Sequence, residues 1–273
     1  MIPPEILHHY SEGQEEHRLA RGLGRLEFIR TWEIAMRYLP PPPARILDVG
    51  GGAGIYALPL AARGYAVHLV DPVSGHVDRA RALSAASSSP LASAELGDAR
   101  ALAAADASFD AVLLFGPLYH LVARRDRVTA LAEARRVVAG TGIVLSAHIS
   151  RFAAVCDGIQ EGMLRQADYF AMVDRELDTG VHQPPPEHHD WFTTAYFHRP
   201  EDIAPEVADA GLTFETLIAV EGPGWVNEDL DAWLDNEAER ERLLHVLRRL
   251  ETEPTLIGAS AHLIAVARPR ATT

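Results

Sequence analysis

Arg45-Ile46-Leu47-Asp48-Val49-Gly50-Gly51-Gly52-Ala53-Gly54 decides the fold, because a short apolar run feeds straight into glycines and residues 55–63 follow with helical spacing. That order reads as strand, turn and helix. Gly50, Gly52 and Gly54 carry no Cβ, so the backbone turns sharply there and a ligand can approach the amides that open the next helix. Outward from this stretch the alternation repeats. Residues 66–70 read as a strand, 73–86 as a helix, and 92–96 as a weaker strand beyond Ser87-Ser88-Ser89-Pro90. Residues 109–115 form a strongly apolar strand, 125–138 an amphipathic helix and 142–148 another buried strand. Strands alternating with helices predict an α/β protein with a doubly wound, mostly parallel sheet and right-handed crossovers.

On the N-terminal side, residues 15–39 show helical spacing that stops at Pro40-Pro41-Pro42-Pro43. Beyond Ser150 the pattern breaks. Residues 151–189 hold two helix-like stretches and then Gln183-Pro184-Pro185-Pro186-Glu187, with no convincing strand, and read as an inserted helical cap over a site. Residues 200–210 resume as a helix, 213–220 as a strand, 228–251 as one long charged helix and 261–267 as the last strand. The expected organisation is an N-terminal helical segment (1–43), a core (44–150), a cap insertion (151–199) and a C-terminal completion of the sheet (200–273).

With 25 Lys and Arg against 38 Asp and Glu among 273 residues, the formal charge is 25 − 38 = −13. Such a surface repels a phosphate backbone and disfavours nucleic acid as a partner. No apolar run reaches the roughly 18 residues of a membrane span. A single cysteine, Cys156, allows no intrachain disulfide, and the N-terminal residues lack the basic and apolar regions of a secretory signal. A cytoplasmic protein is expected. Its small-molecule partner must be read from the site.

A dinucleotide fingerprint starting at Gly50 wants Gly or Ala at the sixth position, and Ile55 stands there. A phosphate-binding loop wants Gly-Lys-Ser/Thr, which is absent. The pattern present, Asp48-x-Gly50-x-Gly52-x-Gly54, resembles the first motif of class I S-adenosylmethionine-dependent methyltransferases. Three further strand ends carry the resemblance: Val70-Asp71-Pro72, Gly97-Asp98-Ala99-Arg100, and Phe115-Gly116-Pro117-Leu118-Tyr119-His120-Leu121. The last string is similar to a bacterial small-molecule subset with Gly-Pro-Leu-Tyr-His-Leu. The resemblance covers roughly residues 46–148.

It implies a Rossmann-like, seven-stranded fold and S-adenosyl-L-methionine as cofactor, with S-adenosyl-L-homocysteine as product. In the family the loop at Asp48, Gly50, Gly51, Gly52 and Gly54 lies beside the methionine portion and sugar. Asp71, with Pro72, would meet the ribose hydroxyls. Asp98 would receive the adenine amino group and the Ala99 amide would contact the ring. Phe115 and Gly116 would stand at the mouth of the substrate site. The N-terminal segment would close over the cofactor, with Tyr10 and Arg30 meeting its methionine carboxylate; the alternative for Arg30 is an exposed ion pair with Glu27 or Glu33.

Methyl transfer needs alignment of nucleophile and methyl and, for an acidic nucleophile, removal of a proton. His120 is the expected base, since an imidazole pKa of about 6.5 suits proton transfer near neutrality, and Tyr119 is expected to orient the substrate; packing in the core is the alternative for both. The cap residues His182, His188, His189, Asp190, Trp191, Phe192, Tyr196, Phe197 and His198 suggest a pocket for an aromatic or heterocyclic acceptor. No metal is expected, since His188 and His189 are adjacent and neighbouring histidines rarely share one ion. Oligomeric state stays open, with a homodimer through the apolar N-terminal helix as one arrangement. Two other readings remain: a binder of the same cofactor that transfers another alkyl group or cyclises it, and a nicotinamide-dependent reductase, which would lack a Tyr-x-x-x-Lys pair.

Overall fold

The computed structural model describes residues 18–188 and 191–270. The chain opens with helix α1 (Gly22–Tyr38) and then alternates β1 (Arg45–Val49), α2 (Ala57–Ala62), β2 (Ala66–Asp71), α3 (Ser74–Ala86), β3 (Ser93–Leu96) and β4 (Phe109–Leu114). A short helix α4 (Pro117–His120), α5 (Arg124–Val137) and β5 (Val138–Ile149) follow. Then come α6 (Ala153–Gln160), α7 (Ala167–Thr179), β6 (Val181–His182), β7 (Ala195–Tyr196), α8 (Pro200–Asp209), β8 (Leu212–Ala219), α9 (Leu230–Asp235), α10 (Glu237–Leu250) and β9 (His262–Pro269).

Among the described residues, seven strands form one sheet in the order β3-β2-β1-β4-β5-β9-β8. Strands β1 to β5 are parallel, whereas β9 runs antiparallel to both β5 and β8. The expected mostly parallel, doubly wound sheet is therefore present. Successive strand residues face opposite sides. Ile46, Leu113 and Leu145 meet α1, α2 and α3 through Ile34, Leu60 and Val77 on one face. Leu47, Val112 and Val144 meet α5 and α8 through Leu131, Ile203 and Val207 on the other. Each such side chain, taken fully out of water, contributes about 1.5–3 kcal/mol. In α1, Leu26 and Ile34 are buried within the chain, whereas Ile29, Trp32 and Met36 are only partly buried.

Two expectations change. The single helix over 228–251 is two helices, because Asn236 adopts an extended conformation and its side-chain oxygen accepts from the amides of Ala238 (3.0 Å) and Glu239 (3.2 Å). An asparagine there caps a new helix better than it continues an old one. Residues 151–189 do hold two helices, but they also contain β6, which pairs antiparallel with β7. Among the described residues no helix is long and apolar enough to cross a membrane.

Candidate functional site

A cavity of about 440 Å³ opens at the carboxyl ends of the parallel strands, where doubly wound sheets place their ligands. The glycine loop forms its floor. Gly50, Gly52 and Gly54 all have positive φ (71°, 57° and 95°), conformations that side chains rarely adopt. The Gly50 amide donates to the carbonyl of Val70 at 2.7 Å, tying the loop to β2. A Cβ on Gly50 would lie 2.8 Å from Pro117 Cδ, and one on Gly116 would lie 2.8 Å from the carbonyl oxygen of Gly50. The loop after β1 and the turn after β4 therefore touch backbone to backbone, and each needs glycine. Gly51 is equally confined, since its Cβ would fall 2.7 Å from Asp48 Oδ2.

Asp71 is almost fully buried, and its carboxylate organises the turn after β2. Oδ2 accepts from the Gly52 amide (2.9 Å), while Oδ1 accepts from the Val73 amide (2.9 Å) and lies 3.1 Å from His76 Nδ1. An ionised carboxylate offers about four lone-pair positions, so Asp71 stays able to accept from a ligand in the cavity that it and Pro72 line. Asp98 and Ala99 line the next stretch of wall. Arg100 grips Asp98 through Nε (2.9 Å) and Nη2 (2.6 Å), which holds that carboxyl below its usual range, and Arg100 also reaches Asp126 at 3.1 Å.

Asp48, at the end of β1, differs from its neighbours. It is completely buried, and neither carboxylate oxygen has a hydrogen-bond partner among the described residues. Burial, with the nearby Asp71 charge, pushes its pKa up to about 7. A buried acid without a donor is costly, and this one borders the cavity.

Phe115, Gly116, Tyr119 and His120 border the cavity beyond β4. The Tyr119 hydroxyl donates to the Phe115 carbonyl at 3.2 Å. His120 lies against Tyr119 and, at 5.9 Å between ring centres, against Phe192 of the cap. Behind it, buried Arg127 donates to the carbonyls of Leu121 (2.9 Å) and Val122 (2.7 Å) and so fixes the turn. On the helix side, Phe28 of α1 stacks on Tyr56 at 5.5 Å, and Tyr56 meets Phe115 edge-on at 5.3 Å. Helix α1 thus closes over the glycine loop.

Other expected residues lie elsewhere. Arg30 is fully buried away from the cavity: Nε donates to the Val220 carbonyl at 3.1 Å, Nη1 to Glu33 at 2.5 Å, and Nη2 pairs with Glu251. Glu27 and Thr31, one turn apart, share the helix face that borders the cavity; Arg30 sits about 100° round from Thr31 and points at α10 instead. The pair with Glu33 is present, but it is half-buried rather than exposed, with Arg30 itself fully buried. Tyr10 lies outside the described residues, as do His189 and Asp190. The cap aromatics, moreover, form a core of their own rather than a pocket wall. Trp191 packs edge-on against Tyr169 at 5.1 Å, His182 stacks on Phe197 at 4.7 Å, and Tyr196 lies under the Arg127 guanidinium. Among the described residues they do not line the cavity.

Sequence reasoning passed over one cluster in the cavity wall. Glu27, Glu221 and His262 bring a ligand atom each to within 4.8 Å of one another. The available signal was positional: Glu221 just follows one strand and His262 opens the next, so an antiparallel pairing brings them together.

Residues 46–142 match the model of a family described as a methyltransferase domain. No curated protein matches the chain in sequence. Among solved structures, a SAM-dependent methyltransferase from Methanosarcina mazei aligns with a TM-score of 0.59 at 16% identity, over 86% of this chain and 96% of that one. Magnesium protoporphyrin IX methyltransferase from Synechocystis, solved with bound SAH, aligns with a TM-score of 0.53 at 14% identity, over 90% and 82%. The cyclase SpnF aligns with a TM-score of 0.56 at 19% identity, over 89% and 82%. The chain is therefore similar to these proteins in fold: it has the Rossmann-like α/β methyltransferase fold, with residues 46–142 matching a methyltransferase domain.

Proposed function

We propose that the chain is an S-adenosylmethionine-dependent methyltransferase that methylates a small-molecule acceptor. The observation that carries this reading is Asp48, a fully buried carboxylate without a partner at the floor of a glycine-lined cavity. An ammonium group beside it would supply the missing donors, and the methionine end of the cofactor bears one. Asp71 and Pro72 would hold the ribose, Asp98 and Ala99 the adenine, and Gly50 to Gly54 would give the backbone clearance. Bound there, the cofactor supplies an electrophilic methyl group on a sulfonium.

The rest falls to the chain's own residues. Tyr119 and His120, fixed from behind by Arg127, orient the acceptor at the mouth, and His120 accepts its proton where the nucleophile is acidic. The contact between Gly116 and Gly50 couples that mouth to the cofactor floor. The single cysteine and acidic charge suit a cytoplasmic enzyme. SpnF, a cyclase of this fold, motivates a second reading in which the same cavity serves chemistry other than methyl transfer.

Incubation with methyl-labelled S-adenosylmethionine and a panel of small acceptors, followed by mass spectrometry, separates the readings. S-adenosylhomocysteine with a labelled product supports methyl transfer; methylthioadenosine, or oxidation of a reduced nicotinamide, refutes it. His120→Ala is expected to lose turnover while keeping S-adenosylhomocysteine affinity. A fully active variant would make His120 structural.

A further inference from the structure

The carboxyl edge of the sheet extends past the glycine loop. His262 opens β9 and pairs with Ile149 at the end of β5. It therefore stands on the same edge as Gly50 but three strands along, roughly 14 Å away at about 4.8 Å per strand. The motifs assigned above to the cofactor occupy the β3-to-β4 half of this edge. The β5-to-β9 half is left for the acceptor.

The chemistry presented there is set by hydrogen bonding. His262 Nδ1 lies 2.6 Å from Glu221 Oε1 and 3.5 Å from Glu27 Oε2. Glu221 is fully buried, and its Oε2 also accepts from the Ser260 hydroxyl and the His262 amide, both at 2.9 Å. Arg18 grips Glu27 with both terminal nitrogens, at 2.5 and 3.0 Å. Both oxygens of each carboxylate accept at least one bond from the chain itself. The one group of this trio without a hydrogen bond among the described residues is His262 Nε2, on a ring that borders the cavity.

Two acids lie beside the ring, with Glu221 Oε1 at 2.6 Å from Nδ1, and they favour the imidazolium, in which Nε2 is a donor. Burial by itself would lower the imidazole pKa, but the Glu27 and Glu221 carboxylates more than offset that and push it up to about 9. The charged groups facing the ring are Arg18 and Glu27, which neutralise each other, Glu221, and Asp157 of α6, whose carboxyl burial pushes up to about 6.

We propose that His262 is a specificity-determining residue of the acceptor site, donating from Nε2 to the carboxylate of a small acid whose nucleophilic group lies toward His120. The proposal rests on the methyl-transfer reading above and narrows its substrate to acceptors with an anionic oxygen at one end. Glu221 is a positioning residue that holds the ring and its proton.

The test is calorimetry on the full chain saturated with S-adenosylhomocysteine, with benzoate, benzamide and benzylamine as probes that differ in the group offered to His262. At pH 7.5 benzoate is expected to bind about ten-fold more tightly than either other probe, as one charge-assisted hydrogen bond implies. His262→Gln and Glu221→Gln each remove that preference. In the unmodified protein benzoate affinity falls between pH 8 and pH 10, where neither benzoate nor benzamide titrates, while benzamide affinity stays constant. Equal affinity for benzoate and benzamide, tighter benzylamine, no benzoate binding up to 10 mM, or a preference that survives His262→Gln would overturn the proposal. Failure of S-adenosylhomocysteine to bind at all would instead overturn the cofactor reading.

Discussion

Replacing Asp48 with asparagine removes the charge of the buried, unpartnered carboxylate while keeping its shape. Because the folded pKa is about 7 against an ordinary 3.8, the folded chain holds this proton over a range where the unfolded chain has released it. Stability is therefore lost as pH rises from about 4 through about 7, and the loss is complete about one unit above that. Between pH 5 and pH 8 it amounts to about 3 kcal/mol, at up to 1.36 kcal/mol per pH unit below the folded pKa. Asparagine does not titrate, and the cost of burying its amide, about 1–3 kcal/mol, is the same at every pH. The stability difference between Asp48→Asn and the parent should thus move by about 3 kcal/mol in favour of the variant from pH 5 to pH 8. Urea unfolding of both ligand-free proteins at the two pH values measures it. A difference constant to within about 0.5 kcal/mol, or one moving the other way, refutes the claim that Asp48 is buried without a donor. The same variant should bind S-adenosylhomocysteine about ten-fold more weakly at pH 8, because the ammonium loses a charge-assisted partner.

Arg30→Met strips Glu251 of one of its two arginine partners and leaves the Val220 carbonyl without its donor, so stability should fall by about 3 kcal/mol with S-adenosylhomocysteine affinity unchanged. A folded variant that no longer binds S-adenosylhomocysteine would restore Arg30 to the cofactor site. Gly116→Ala drives a Cβ against the Gly50 carbonyl, and relieving that contact by displacing the loop should cost about 1–3 kcal/mol together with cofactor affinity. Thermal unfolding and calorimetry check both effects, and an unchanged affinity would show that the mouth and the floor are not coupled.

Much of the β3-to-β4 side of the cavity was legible because its determinants are local. Each acid or glycine stands at the end of an apolar strand, and a strand end in a parallel sheet is already an address on the ligand-binding edge. Asp48, Asp71, Asp98 and Gly116 reach one cavity for that reason. What local pattern could not convey was direction. Arg30 follows the same helical spacing as Glu27 and Thr31, yet about 100° of rotation sends it to Glu251 rather than to the cavity. The cap aromatics have the composition of a pocket, but Trp191 and Phe197 are buried in a small core of their own, with His182 stacked on Phe197.

By itself the sequence determined the α/β alternation, the glycine turn that Ile55 distinguishes from a dinucleotide site, and the acids at successive strand ends, because propensity and hydrophobic period act over a few residues. The tertiary structure alone decided that β9 inserts antiparallel between β5 and β8, which brings His262 onto Glu221, 41 residues earlier, and onto Glu27 of α1. Such a cluster is created by packing between distant segments, and the β9 end of the cavity comes into being only when the sheet is complete.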